Sequence, residues 1–383
     1  MLLFFKYFNF FIDSARIALA SLGLAGDFTV LQVLLPVGIS FYTFQSIAYA
    51  VDIYRGKTEP VDQLLLFAAF IAFFPQLVAG PIERAQHILP QLRTPLRFEA
   101  SFIQEGLALL LVGYFKKVFV ANHCAMVADY LFKGSGQTSP GWVALGTLAF
   151  AFQIYGDFSG YTDIARGSAR MFGVRLSQNF RFPYYARGPS DFWNRWHISL
   201  SSWIRDYLYI PLGGNRQGDW QTIRNLYLSM LLAGLWHGAA WNFVLWGAFH
   251  ASLLTAYRWL PGFGRLERSR GGLQWLAVTI MFLFTLVGWL IFRAPSFAFM
   301  QAAMQSVTGQ HAALETTSTL GPLLWVLIHV APLLLLQWAS WQGQDEVALG
   351  HRRWPMRAID YLVLLLLVAS SLALDQEFIY FQF

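Results

Sequence analysis

Long apolar runs recur along this chain from one end to the other, and few folds accommodate them. They occupy residues 30–54, 61–80, 104–121, 142–164, 223–259, 275–292, 320–338 and 358–374. A spanning helix needs about 20 mostly apolar residues, and these runs are of that order. Only 13% of the 383 residues are charged, about half the share usual in soluble domains. Because the runs continue end to end, the expectation is an all-α polytopic membrane protein with one membrane domain over 1–383.

Breaks in the runs carry further information. Pro36 and Gly38 are expected to kink the first. The second ends in PQLVAGPIER, where Pro75, Gly80 and Pro81 interrupt the helix. A broken helix at membrane depth requires protein or water to cover the freed backbone. Residues 223–259 are long enough for one tilted helix or a broken pair. At the front, the apolar stretch precedes Lys6 and Arg16, the reverse of a signal peptide, so 1–24 is expected to form a retained membrane or interfacial helix. The terminal EFIYFQF suits an interface or a packed terminus.

The net charge is +6, and its distribution indicates orientation. Arg166, Arg170, Arg175, Arg181, Arg187, Arg195, Arg205, Arg216 and Arg224 fall in one stretch, opposed by Asp191, Asp206 and Asp219. By the positive-inside rule this stretch is cytoplasmic, facing anionic lipid. No nucleic-acid module accompanies the charge. The single cysteine, Cys124, excludes an intrachain disulfide and a CxxC pair. Phosphate-loop, HExxH and GxSxG patterns are absent, and Leu212-Gly213-Gly214-Asn215 reads as a turn. His87, His123, His250, His311, His329 and His351 show no metal-ligand spacing, so no metal site is expected.

The chemistry concentrates between residues 191 and 247. His237 lies in Gly234-Leu-Trp-His-Gly238, within an apolar run. Small residues one turn apart let a neighbouring helix approach closely, which places His237 in the protein interior, with Trp241 expected one turn later on the same face. Ionisable residues in spans are rare and usually functional; the alternative is a packing histidine. A buried neutral imidazole offers the lone pair that a general base needs. On a continuous helix, His250 would point away from it.

His197 follows Asn194, Arg195 and Trp196, in a short amphipathic segment with Trp193, Trp203, Arg205 and Asp206. That segment is too short and polar to span, so it is expected to be interfacial or re-entrant. Arginine and aromatic side chains together suit an anionic ligand with a stacking ring, such as a nucleotide-bearing acyl thioester; a tryptophan–arginine interface anchor explains the composition equally well. The expected substrate-binding set is Asn194, Arg195, Trp196, Arg205, Asp206, Trp236 and Trp241, with His237 and His197 catalytic. Asp157 and Asp163, six residues apart, do not share a helix face well. No paired-carboxylate site is expected, and Asp157 reads as a salt-bridge residue, orienting a histidine or pairing with an arginine.

YGDFSGYTDIARGSARMFG, RFPYYARGPSDFWNRWHISLSSWIRDYLYIPLGGNR, LLAGLWHGAAWNFVLWG and the terminal FIYFQF, together with PQLVAGPIER, resemble the membrane-bound O-acyltransferases, in the bacterial branch that includes alginate O-acetyltransferase. The resemblance implies a ring of tilted helices plus re-entrant or interfacial helices around a funnel through the bacterial inner membrane. It matches the family's two histidines to His197, on the cytoplasmic side, and His237, deeper in the tunnel. It implies an acyl donor from the cytoplasm, acetyl-CoA or another thioester, with no bound cofactor. The acetyl group would pass to periplasmic polysaccharide acetyltransferases acting on an exported polymer. It also implies N-terminal helices ahead of KYFNFF that this chain lacks. Two other functions fit some of the same features: D-alanyl transfer to teichoic acid, and non-enzymatic transport, though no internal repeat supports the latter.

Overall fold

The computed structural model describes residues 3–24, 36, 38–94, 99–134, 138–309, 318–343, 354–374, 376, 378 and 379. Among them all regular structure is helical. A wide turn at Leu3–Tyr7 opens α1 (Phe8–Ser21), and α2 (Ile39–Tyr54), α3 (Leu64–Ile71) and α4 (Ala85–Arg93) follow. Next, α5 (Ala100–Tyr114) runs through a π-type turn (Phe115–Ala121) into α6 (Asn122–Phe132), and α7 spans Pro140–Met171. The short α8 (Pro189–Trp193) and α9 (Ile198–Ile204, extended by a wide turn at Arg205–Tyr209) precede α10 (Asp219–His237) and α11 (Trp241–Trp259). The chain ends with α12 (Pro261–Glu267), α13 (Gly272–Arg293), α14 (Phe297–Val307), α15 (Leu320–Gly343) and α16 (Trp354–Ala369).

Among the described residues, three helical segments are long and apolar enough to cross a membrane: Ala100–Phe132, Gly272–Arg293 and Leu320–Trp341. Leu276 and Leu283 on α13, Ile328 and Leu335 on α15, and Ile359 and Leu366 on α16 are exposed. Such continuous apolar surface belongs against lipid.

The 61–80 run does break as expected. Only α3 is helical there, and the Phe70 carbonyl accepts from Gln45 at 2.8 Å and Gln76 at 3.2 Å. Protein amides thus cover backbone that helix would otherwise satisfy. Residues 30–35 and 37 of the first run lie outside the described residues, as do His311, His351 and most of the terminal motif.

The centre of the fold is a glycine seam between α5 and α7. Gly106 opposes Gly167 and Gly113 opposes Gly160, an antiparallel register with seven residues between pairs. A Cβ at Gly113 would stand 2.7 Å from the Gly160 carbonyl oxygen, and one at Gly167 would stand 2.7 Å from that of Gly106. Only glycine permits backbones this close. Where the seam meets the π-type turn, Lys116 pairs with Asp163 at 2.5 Å and Lys117 with Asp157 at 2.7 Å. The salt-bridge reading of Asp157 holds, but its partner is a lysine, not an arginine or a histidine. Asp157 also accepts from the Ile379 backbone amide, and Lys117 donates to the Gln376 carbonyl. With Phe378 stacked on Tyr161 and Ile379 buried, the described part of the tail is a packed terminus.

Candidate active site

His237 is the last residue of α10. The chain breaks at Gly238 and re-enters as α11, so residues 223–259 form a broken pair, not one helix. Gly234 and Gly247 allow the two arms to meet: their added Cβ atoms would lie 2.1 Å from the Phe243 oxygen and 2.3 Å from the Met230 oxygen. The small-residue pattern therefore does bring a helix onto Gly234, and that helix is the returning arm of the same hairpin. Two expectations built on a continuous helix are corrected. Trp241 does not follow His237 on one face; it is 52% exposed, packs on Phe10 and donates to Ser14. His250 does not point away from the site; it is buried, and the Trp246 ring lies 4.7 Å from it and 5.2 Å from His237.

The α10 terminus leaves carbonyls without helical partners. Lys6 donates to two of them, Trp236 O at 2.7 Å and His237 O at 3.1 Å. A cation at a helix C-terminus is electrostatically favourable, and here it fixes the backbone that carries His237.

His197 occupies a left-handed turn between α8 and α9, with φ 43° and ψ 54°. A non-glycine residue held there costs about 1–3 kcal/mol and needs surroundings that enforce it. Buried Asn179 supplies them: its carbonyl accepts from Ile198 N and its side chain from Ser199 N. Ser199 in turn accepts from Ile82 N. The imidazole is 0% exposed among Phe158, Trp236 and Phe41, with ring centroids at 4.7, 5.8 and 6.3 Å. Neither ring nitrogen has a hydrogen-bond partner among the described residues. Buried polar groups are normally paired, so these nitrogens are free to bond a ligand or a buried water. His197 is thus enclosed by protein, although it caps a short helix whose Ile198, Ser201 and Ser202 are only partly buried.

The two imidazoles lie 6.5 Å apart by ring centroids. His197 and His237, 40 residues apart in sequence, are therefore neighbours in one site. Beside His237, a small cavity is lined by Ile154, Phe158, Trp196, Trp246, Trp289 and Phe292. About 10 Å³ is open to water centres, room for about one water. Trp196 and Trp236 are buried within this cage, whereas Asn194 is exposed. Arg195 is held by Asp191 at 2.5 Å. Arg205 is 58% exposed and pairs with Asp206 at 2.8 Å.

A model of the membrane-bound O-acyltransferase family matches residues 61–292, a segment containing both histidines. The chain belongs to the membrane-bound O-acyltransferase family. A protein of Azotobacter vinelandii named "Probable alginate O-acetylase AlgI" is 46% identical over 293 residues, 76% of this chain and 57% of that protein. The chain thus spans little more than half of that relative. A protein of the same name from Pseudomonas putida is 40% identical over 404 residues, 99% of this chain and 81% of its own length. "Peptidoglycan O-acetyltransferase" of Helicobacter pylori is 35% identical over 334 residues, 80% of this chain and 61% of that protein.

Several residues around the two histidines are not marked out by the sequence. Lys6 looked like an N-terminal charge, and Phe41 and Phe44 like ordinary span residues. Phe158 follows Asp157 in a motif whose carboxylates are the conspicuous groups. Trp289 and Phe292 look like the end of an apolar run. None has a local signal, because each reaches the histidines or the tryptophans packed on them across a large sequence separation; Phe44, for one, meets Trp236 at 5.5 Å.

Proposed function

We propose that this family member is a multi-pass O-acyltransferase of the bacterial inner membrane. It takes an acetyl group from a cytoplasmic thioester, acetyl-CoA in the simplest case, and passes it toward hydroxyls of an alginate-type exported polysaccharide. Periplasmic polysaccharide acetyltransferases are its partners in that transfer, and membrane lipids surround it. The names of the relatives support the acyl group and the polymer class. The observation that carries the reading is the meeting of His197 and His237 in one buried aromatic cage.

In the proposed step, His237 accepts the proton of an acceptor hydroxyl. The hydroxyl oxygen attacks the thioester carbonyl, the C–S bond breaks, and the thiolate leaves with that proton as a free thiol. His197 hydrogen-bonds a reacting group and holds it for attack. The aromatic walls keep water from hydrolysing the thioester. The cavity is smaller than an acyl thioester, so donor entry has to part the rings that line it.

General-base catalysis contributes about 10²–10⁴-fold, so His237→Ala should lower transfer by that order. Membranes are supplied with labelled acetyl-CoA or with a D-alanyl carrier protein, and polymer acylation is measured. Full acetylation by His237→Ala would overturn the base assignment. Labelling from the carrier protein alone would overturn the acetyl assignment, and substrate movement without any acylation would favour transport.

A further inference from the structure

A second cluster stands apart from the histidines, at the end of α2, the start of α4 and the wide turn after α9. Its centre is Tyr207, whose hydroxyl donates to buried Asp52 at 2.6 Å. The guanidinium of Arg84 lies 4.4 Å from the Tyr207 ring centroid and that of Arg55 5.7 Å. Arg55 donates to the Asp206 carbonyl at 3.3 Å, and Arg205 pairs with the Asp206 carboxylate at 2.8 Å. Arg84 is the unusual member. Its two terminal nitrogens are shielded from solvent and make no hydrogen bond among the described residues; its Asp206 contact is a loose 3.6 Å. Three arginines thus face two aspartates, one of which is occupied by a tyrosine hydroxyl.

A guanidinium with both terminal nitrogens unspent, stacked on an aromatic ring beside two further arginines, suits bidentate binding of a phosphate. The cluster is also connected to the histidines by stacked rings. Tyr207 contacts Trp203 at 5.2 Å, Trp203 stacks on Phe44 at 3.9 Å, and Phe44 meets Trp236 at 5.5 Å. Trp236 touches both His197 and His237. From these contacts we infer that Arg84, with Arg55 and Arg205, binds a phosphate of the acyl donor, while the ring series from Tyr207 to Trp236 flanks the donor's path to the histidines. The inference rests on the thioester reading above, and it transfers the main anion contact to Arg84, whose terminal nitrogens make no hydrogen bond among the described residues, from Arg195 and Arg205, which are engaged with Asp191 and Asp206 at 2.5 and 2.8 Å.

The test compares two donors, acetyl-CoA and S-acetyl-pantetheine, which lacks every phosphate. Arg84→Gln should raise KM for acetyl-CoA about tenfold or more, the effect of losing a charge-assisted hydrogen bond. It should leave kcat, and both constants for S-acetyl-pantetheine, unchanged. Arg55→Gln, at the exposed rim, should shift KM in the same direction by less, and it keeps the test valid if Arg84→Gln does not fold. Equal losses with both donors would show a merely structural role and overturn the inference. Direct binding of CoA to wild type, His237→Ala and Arg84→Gln separates this inference from the catalytic one: the first two should bind alike and the third weakly. Undiminished CoA binding by both arginine variants overturns it. So does wild-type protein that binds no CoA, or a response of the arginine variants to phosphatidylglycerol vesicles alone, which would assign the phosphate to a lipid headgroup.

Discussion

Replacing Gly234 with alanine tests whether the α10–α11 seam sets the position of His237. The added Cβ would lie 2.1 Å from the Phe243 carbonyl oxygen, whereas ordinary contact begins at 3.4 Å; the arms must separate by 3.4 − 2.1 = 1.3 Å at that point. The obstructing atom is backbone, so no rotamer change relieves the clash. Overpacking of this kind costs about 1–3 kcal/mol, or roughly 1–4 °C of thermal midpoint for a chain of this size. The effect on rate should be larger in proportion. His237 lies three residues beyond Gly234, and a misplacement of about 1 Å at a reacting group costs about 10²-fold. The assay pairs thermal unfolding in detergent with label transfer from acetyl-CoA to polymer. Gly262→Ala in α12 is the control: an added Cβ there meets nothing within 4 Å, and the midpoint should hold or rise slightly. A Gly234→Ala protein with wild-type midpoint and rate would refute the seam argument. A lowered midpoint with full rate would refute the link between the seam and His237.

Asp157→Asn should destabilise by about 3–5 kcal/mol, because it strips a largely buried lysine of its charge partner, and adding Lys117→Met should recover most of the loss in thermal midpoint. His87 offers a pH test outside the spans: its hydrogen bond to Glu83 at 2.7 Å raises its pKa above the ordinary 6.5, against a smaller lowering by burial. Since the folded value is the higher one, the contact stabilises fully below about 6.5 and is lost as pH rises through the folded pKa. Glu83 also holds Ser177, so the protection of the Ser177 amide, taken relative to its intrinsic exchange rate at each pH, should fall across that rise in wild type and lose this dependence in His87→Gln. At His197, asparagine should keep the left-handed turn and the thermal midpoint while abolishing transfer, whereas valine should also lower the midpoint.

The parts of this fold legible in sequence are those that a single segment decides. Apolar length marks α5, α13, α15 and α16, because a lipid-facing helix is specified by its own residues. Pro75, Gly80 and Pro81 mark the break after α3 for the same local reason. The covering of the Phe70 carbonyl by Gln45 and Gln76 is not legible, since it depends on where α2 comes to lie. The glycines of α5 and α7 are visible individually, but their pairing across the seam depends on the register of two segments about 50 residues apart.

The candidate site divides along the same line. His237 is conspicuous because a polar group in an apolar run is costly, and His197 because tryptophans and arginines crowd its segment; both signals are local. The distance between the two histidines is not. It depends on the end of α10 at His237, on the left-handed turn at His197, and on Asn179 and Lys6, which hold those two backbones. The break at Gly238 shows why. Its added Cβ would fall 2.0 Å from the Phe243 ring, so glycine there accommodates a returning helix instead of continuing a span. A Gly-x-x-x-Gly pattern reads alike in either case. What separates them is a contact made nine residues beyond Gly234, by Phe243, and that contact places His250 near His237 and leaves Trp241 outside the site.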